Sequence, residues 1–188
     1  MRRFFLLPAL VLTLAACDSA DPVSEPVSGF EVTVAPGTAE ARLVTGDASA
    51  SGELAGQFRT LINPEGIFGL VATGIELASE DSTETFFIIG LTPEGLSNRA
   101  YDLSEVTAGE AIVYDGGTDF VALAYVQDSD APDGAGFGFA ESGTLTVTET
   151  NETRISGTFT ATVEVLRGES TEQMEIEGTF TADAASTE

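Results

Sequence analysis

The sequence predicts an all-β domain of about ten short antiparallel strands, arranged as a β-sandwich, with a closed lipocalin-like β-barrel as the alternative. Three observations support this fold class. Apolar residues recur at every second position through much of the chain, which is the period of a half-buried strand. Clusters of Gly, Pro, Asn and Asp interrupt these runs at short intervals, as turns do. No window of about 12 residues carries the apolar stripe of a helix.

The first strands are predicted between residues 30 and 91. Phe30, Val32 and Val34 alternate with polar residues, and residues 40–45 and 48–61 provide two further strands. Residues 67–75 and 86–91 are apolar at successive positions, which is typical of strands covered on both faces in a sheet or a sandwich.

The middle of the chain predicts three more strands and two turns. Thr92 to Gly95 forms a turn, and strands follow at 101–103, 111–114 and 120–126. The Asp-Gly-Gly-Thr sequence at 115–118 is typical of a hairpin turn between the last two strands.

The last third predicts an antiparallel meander with strands at 143–149, 155–165 and 174–182, joined by turns at 150–152 and 167–170. The pattern Ile-x-Gly-Thr-Phe-Thr-Ala occurs at 155–161 and again at 176–182. We interpret this near-repeat as two neighbouring strands with the same packing, in which each Gly leaves room for an inward Phe ring or its neighbour. Phe159 and Phe180 are therefore predicted to lie in the core.

The N-terminus has the features of an export signal. Two Arg are followed by an apolar run from Phe4 to Leu14, which is too short to span a bilayer as a helix. Leu14-Ala15-Ala16-Cys17 resembles the bacterial lipobox, and Cys17 is the single cysteine of the chain. The resemblance implies cleavage before Cys17 and lipid attachment to its thiol.

These features predict the organisation of the chain. Residues 1–17 are the lipoprotein signal peptide, 18–28 an acidic Pro/Ser tether, 29–184 a single all-β domain and 185–188 a disordered tail. Asp18 resembles the inner-membrane retention signal of enteric bacteria, which other lineages do not follow. We expect anchoring at the outer membrane or cell surface rather than the inner membrane, with membrane and leaflet left open.

Composition excludes several classes of function. The chain has no His, no Lys and no Trp, and the part after the signal peptide carries five Arg against 31 acids, a side-chain charge of −26. Without His or Lys there is no His-based triad, no His-liganded metal and no Schiff base. This charge repels nucleic acid. It also favours a salt-rich, halophilic-like habitat over a simple solubility role.

Few residues qualify as a site. Asp128, Asp130 and Asp133 form a weak calcium candidate, because Pro132 breaks the EF-hand spacing and a solvated turn explains the loop as well. Tyr101, Tyr114, Tyr125 and the Phe residues are predicted to be core rather than a sugar platform. No cofactor is expected.

Several strand motifs together resemble an uncharacterised all-β lipoprotein domain family, a domain of unknown function in secreted bacterial proteins. They are Phe86 to Leu91, Arg99 to Leu103, Phe120 to Val126, Gly143 to Val147, Ile155 to Phe159 and Gly178 to Phe180. Arg99 stands where that family's pattern has Gly. The resemblance implies an all-β lipoprotein, and that family has no established activity to carry over to this chain.

We therefore expect a membrane-anchored envelope or surface lipoprotein that is not an enzyme and that serves as a binding or structural module. Its protein or small-molecule partner is left open. The alternatives are a lipocalin-like carrier of a small apolar ligand and a carboxylate-based hydrolase. The hydrolase requires two inward acids about 5 to 9 Å apart, whereas the inward positions of the predicted strands are nearly all apolar.

Overall fold

The computed structural model describes residues 27–37, 40–52, 60–63, 66–69, 71–106, 119–131 and 134–184, and these ranges contain strands and turns. The strands are β1 (Gly29–Pro36), β2 (Arg42–Gly52), β3 (Thr60–Asn63), β4 (Gly66–Gly69), β5 (Val71–Ser79), β6 (Glu84–Thr92), β7 (Ala100–Asp102), β8 (Phe120–Gln127), β9 (Gly136–Thr150), β10 (Arg154–Arg167) and β11 (Ser170–Ala184). These ranges contain no helix, and therefore no helix that is long and apolar enough to span a membrane. The predicted antiparallel all-β fold is confirmed.

Eight of the nine strands of the large sheet form a ring whose two ends meet, and the ninth, β7, pairs with β9 beside this ring. The hydrogen-bonded order is β10-β11-β1-β2-β5-β6-β8-β9, and β9 also pairs with β10. The order therefore returns to its first strand and forms a closed ring. This ring of pairings is barrel-like, which is the arrangement that the sequence analysis gave as the alternative to the predicted β-sandwich. β3 and β4 pair separately as a two-stranded hairpin.

The two ends of the ring differ in their connections. The connections β1–β2, β5–β6, β8–β9 and β10–β11 lie at one end, which we call the hairpin end. The chain enters the ring at the opposite end, where β1 begins at Gly29. The segments that contain β3, β4 and β7 also depart from this entry end.

Side chains at alternate positions point into the ring and fill it. Every ring strand contributes to one buried apolar cluster, which includes Phe30, Val44, Ile75, Phe86, Leu123, Leu145, Phe159 and Ile176. The Phe86 ring stacks on Tyr125 at a centroid distance of 5.0 Å and meets the Phe30 ring edge-on at 5.9 Å. An eight-stranded closed sheet is just wide enough for its own side chains to fill the interior.

The near-repeat in β10 and β11 packs reciprocally. Gly157 pairs with Phe180, and Phe159 pairs with Gly178. A Cβ on Gly157 would lie 3.0 Å from Cζ of Phe180, and a Cβ on Gly178 would lie 3.0 Å from Cζ of Phe159. Each Gly thus makes room for the ring on the neighbouring strand. Phe159 and Phe180 are buried, so their predicted core position is confirmed.

β9 changes partner along its length. Its residues 136–139 pair with β8, whereas residues 144–146 pair with β7. The register against β10 shifts between these two stretches, beside Glu141, and a bulge of this kind bends a strand. The segment after β7 bridges the resulting gap, because the amide of Leu103 donates to Gly143 O at 2.9 Å and that of Ser104 donates to Val121 O at 2.6 Å.

Some predicted strand limits are wrong. The strands at 40–45 and 48–61 are not divided near Gly46, since β2 runs unbroken from Arg42 to Gly52. A Cβ on Gly46 would lie 2.0 Å from Ala78 O, so this glycine permits close strand approach instead of ending a strand. The strand predicted at 67–75 is two strands, β4 and β5. β6 is not covered on both faces, because Ile89 is 39% exposed on its outer face.

Ser28, the last residue of the predicted tether, contacts two strands of the ring. Ser28 belongs to the folded part, because its hydroxyl donates to Ala48 O at 2.6 Å and to Thr181 O at 3.2 Å. The signal peptide, the tether as far as residue 26, the strand at 111–114, the turn at 115–118 and the tail at 185–188 lie outside the described residues.

Candidate functional site

A cluster of four polar side chains lies inside the ring at its hairpin end. Arg42 begins β2, Glu84 begins β6, and Tyr125 and Gln127 end β8. Glu84 pairs with Gln127 and Phe86 pairs with Tyr125 across β6 and β8, which places these side chains on the same inner face. The polar cluster therefore closes the apolar core at this end.

Glu84 is the centre of the cluster. Its carboxylate accepts hydrogen bonds from both terminal nitrogens of Arg42, from the Tyr125 hydroxyl and, at 2.9 Å, from Nε2 of Gln127. Nη2 of Arg42 also donates to the Tyr125 hydroxyl at 3.0 Å. Glu84 is only 4% exposed, so a buried charge is matched by a bidentate guanidinium and two further donors.

The surroundings determine the protonation of the cluster. Burial acts to raise the pKa of Glu84, but the hydrogen bonds from Arg42 and Tyr125 outweigh it, so this pKa lies below its usual value. Burial and the hydrogen bond to Glu84 raise the pKa of Tyr125. At neutral pH the cluster therefore contains a carboxylate, a guanidinium and a neutral phenol.

An open cavity of about 330 Å³ lies beside the polar cluster. A second cavity, of about 410 Å³, lies on the outer face of the ring. The smaller cavity is lined by Glu80, Asp81 and Glu84 together with Arg42. Hydrogen bonds from Ser79 and from the amide of Thr83 lower the pKa of Asp81. A carboxyl-based hydrolase needs one acid whose pKa is raised so that it can donate a proton, and neither Asp81 nor Glu84 has this property.

The sequence reasoning missed the polar cluster although a signal was present. Glu84 precedes the core residues Phe86 and Ile88 by two and four positions, and Arg42 precedes the core residue Val44 by two. Each therefore lies on the inward face of its strand. An acid and a base in the inward phase of two strands predict a buried ion pair, because an unpaired charge is too costly to bury.

The acidic loop after β8 uses its carboxylates within the turn. Oδ1 of Asp128 accepts from the Ser129 hydroxyl at 2.8 Å and from the amide of Asp130 at 3.3 Å. These bonds lower the pKa of Asp128. Asp128 and Asp130 are exposed, and Asp133 lies outside the described residues. Within the described part of the chain, no three acidic, His or Cys side chains are grouped as metal ligands would be.

The other residues that the sequence singled out are either buried in the core or lie outside the described residues. Tyr101 and Tyr125 are buried, as predicted. The Tyr101 hydroxyl accepts from the amide of Ser97 at 2.7 Å, and the Arg99 guanidinium lies 4.2 Å from the Tyr101 ring centroid. Tyr114 and Cys17 lie outside the described residues.

The 410 Å³ groove on the outer face is rich in threonine. It is bordered by Glu31, Thr33, Leu43, Thr144, Thr146, Thr158, Thr160, Glu177 and Thr179. Outward positions of β9, β10, β11, β1 and β2 provide these side chains. Its hydroxyls and two carboxylates make a polar surface with one exposed apolar residue, Leu43.

Comparisons of the chain with protein-family models, curated proteins and solved structures give no match.

Proposed function

We propose that the protein is a lipid-anchored bacterial envelope protein whose ring acts as a non-enzymatic binding or structural module. The filled interior is the observation that carries this proposal. Aromatic and aliphatic side chains from all eight ring strands occupy the core, and the polar cluster closes its hairpin end. A partner would therefore be bound on the outer wall of the ring.

The export signal and the lipobox support the anchor. Cys17 would carry lipid, and two or more acyl chains hold a protein stably at a membrane. Because Ser28 and Gly29 lie at the entry end, the tether would place that end towards the membrane and the hairpin end away from it. The outer membrane or cell surface is the proposed location, and the resemblance to an uncharacterised lipoprotein domain family is part of the same proposal.

The closed pairing order is the one observation that favours a lipocalin-like carrier. A carrier, however, holds its ligand in an enclosed cavity of several hundred Å³, whereas the two cavities described above are open and lined mainly by outer-face or rim side chains. Added fatty acid is therefore expected to leave the melting temperature unchanged. A stoichiometric rise would favour the carrier, since a ligand stabilises the state that binds it.

Replacement of Cys17 tests the anchor. Wild-type protein should incorporate a labelled fatty acid and enter the detergent phase, whereas Cys17→Ser should accumulate as unprocessed precursor or soluble protein. Asp18→Asn is the matched control, because it retains the thiol and should still be lipidated. Membrane association and lipid labelling that survive Cys17→Ser would remove the anchor from the proposal.

A further inference from the structure

The outer wall of the ring carries an apolar surface that the core does not require. It consists of Phe87, Ile89, Phe137, Phe139 and Leu166, on β6, β9 and β10, and we call it the aromatic face. Ile89, Phe137 and Leu166 are 39%, 40% and 47% exposed. Exposed apolar groups that adjoin one another, unlike scattered ones, are typical of interaction surfaces.

The strand registers show that these side chains adjoin one another. Phe87 pairs with Ala124, Ala124 pairs with Phe139, and Phe137 pairs with Leu166. The Phe137 and Phe139 rings meet edge-to-face with centroids 4.8 Å apart. On β8 the outward side chains at 122 and 124 are small alanines, flanked by larger side chains on the adjacent strands. Ala122 and Ala124 are only 3% and 8% exposed, so the larger side chains of the adjacent strands supply the accessible apolar surface.

Acidic residues border the aromatic face. Cross-strand partners form rows that run across the outer wall from β2 to β11. One row contains Ser49, Glu76, Phe87, Ala124, Phe139, Glu164 and Gln173. The next row contains Asp47, Ala78, Thr85, Val126, Phe137, Leu166 and Thr171. These two rows contain three acids and no base. Glu76 and Glu164 lie directly beside Phe87 and Phe139, one on each side of β8.

We propose that the aromatic face binds a basic, amphipathic segment of a partner protein, with the segment's apolar side chains against Ile89, Phe137 and Leu166 and its Lys or Arg against Glu76 and Glu164. This inference rests on the proposed binding role and specifies the chemistry of the partner. Apolar anchors within a rim of opposite charge are the arrangement by which proteins recognise such segments. A second copy would bring the same acids against each other, and an anionic lipid surface would be repelled by them.

Binding of a designed peptide tests the proposal. The probe is a labelled amphipathic helix of Leu and Lys, about 18 residues or five turns long, titrated with the full-length chain and followed by fluorescence anisotropy. We expect saturable binding with a Kd of roughly 10 µM. The same peptide with Glu in place of Lys should not bind, and a scrambled Leu/Lys sequence should bind at least about tenfold more weakly, because it has no continuous apolar face.

Variants locate the site. Phe137→Ser together with Leu166→Ser should weaken binding at least about tenfold, as truncation of a central apolar anchor does. Leu43→Ser is the matched control, because Leu43 is an equally apolar side chain, 63% exposed, on the opposite sector of the ring. It should bind as wild type does. All three side chains are exposed, so an unchanged melting curve should verify that both variants fold.

Four results would overturn the proposal. Equal binding of the ordered and scrambled peptides, or full binding by the Phe137/Leu166 variant, would show only non-specific attraction to an acidic protein. Self-association that the double variant abolishes would assign the face to a second copy. Flotation of Cys17→Ser protein with zwitterionic vesicles, lost in the double variant, would assign it to lipid. Lipidated and Cys17→Ser protein should bind the peptide equally, so failure of the anchor and failure of this site are separate results.

Discussion

A carboxylate inside a closed sheet needs donors that replace water, and Glu84 obtains them from three side chains. Arg42 provides the charge and two hydrogen bonds, while Tyr125 and Gln127 provide one each. Such a pair adds little stability relative to apolar residues of the same volume, but removal of one partner leaves the other buried and uncompensated. The stability of the hairpin end therefore depends on all members of the cluster being present.

Glu84→Gln is expected to destabilise the protein by about 3 kcal/mol, because Arg42 then retains a partly buried charge without a counter-charge. Denaturant unfolding at neutral pH measures this difference. Asp119→Asn is the matched control: Asp119 pairs with Arg99 at 2.8 Å, but Arg99 is 50% exposed and its charge stays solvated, so this change should cost less than about 1 kcal/mol. Equal costs for the two variants would contradict the special role of the buried pair.

The same variant gives a pH signature. The pKa of Glu84 is lower in the folded protein than its usual 4.5, so its stabilising contribution is present above that value and is lost as pH falls through the folded pKa. The stability difference between wild type and Glu84→Gln should thus be constant near neutral pH and shrink below about pH 4.5. Subtracting the free energy of unfolding of Glu84→Gln from that of wild type at each pH removes the contribution of the charge repulsion that both proteins share.

Part of this cluster could be predicted from the sequence. Glu84 stands in the inward phase of its strand, two residues before Phe86, and a buried acid demands a buried donor. That Arg42 and Tyr125 would meet this particular acid could not be predicted, because they are 42 and 41 residues away in the chain. Only the order in which the strands pair brings them together, and local periodicity does not encode that order.

At the scale of the element, β10 and β11 show how one residue sets the spacing of two strands. Gly178 faces Phe159 across the pair, and a Cβ there would also lie 2.6 Å from Cγ2 of Val32 on β1. The site is therefore packed from two adjoining strands at once. Because short turns connect the last three strands, this meander was predictable, whereas the continuity of β2 through Gly46 depends on its contact with β5.

Core substitutions in this hairpin should destabilise the protein, either by overfilling the core or by leaving a cavity in it. Gly178→Ala adds a methyl group where there is no room and should cost about 1 to 3 kcal/mol. Phe159→Ala or Phe180→Ala leaves a cavity and should cost about 3 to 5 kcal/mol. Thr160→Ala, on the exposed face of β10, should change stability by less than about 0.5 kcal/mol. A cost below 1 kcal/mol for either Phe would contradict its core position.

At the scale of the whole molecule, charge opposes the compact state. Four Arg of the folded part are already paired with acids, as Arg42–Glu84, Arg99–Asp119, Arg154–Asp183 and Arg167–Glu172, and the fifth, Arg59, lies outside the described residues. With 31 acids in the chain, most carboxylates have no base available to neutralise them. Unfolding spreads these charges apart, so repulsion penalises the folded state more than the unfolded one.

Salt should relieve this penalty. The screening length falls from about 10 Å at 0.1 M to about 3 Å at 1 M, so the melting temperature should rise as NaCl is increased over about that range. Because solutes excluded from the protein surface also stabilise, an uncharged osmolyte at matched osmolality is the necessary comparison. Substitution of exposed acids tests the cause: Glu175→Gln with Glu177→Gln, on the outer face of β11, should raise the melting temperature at low salt and reduce its dependence on salt. A melting temperature that is flat in NaCl, or that rises equally with the osmolyte, would show that the acids are too dispersed to repel one another strongly, and acidity would then serve solubility instead of a salt-rich habitat.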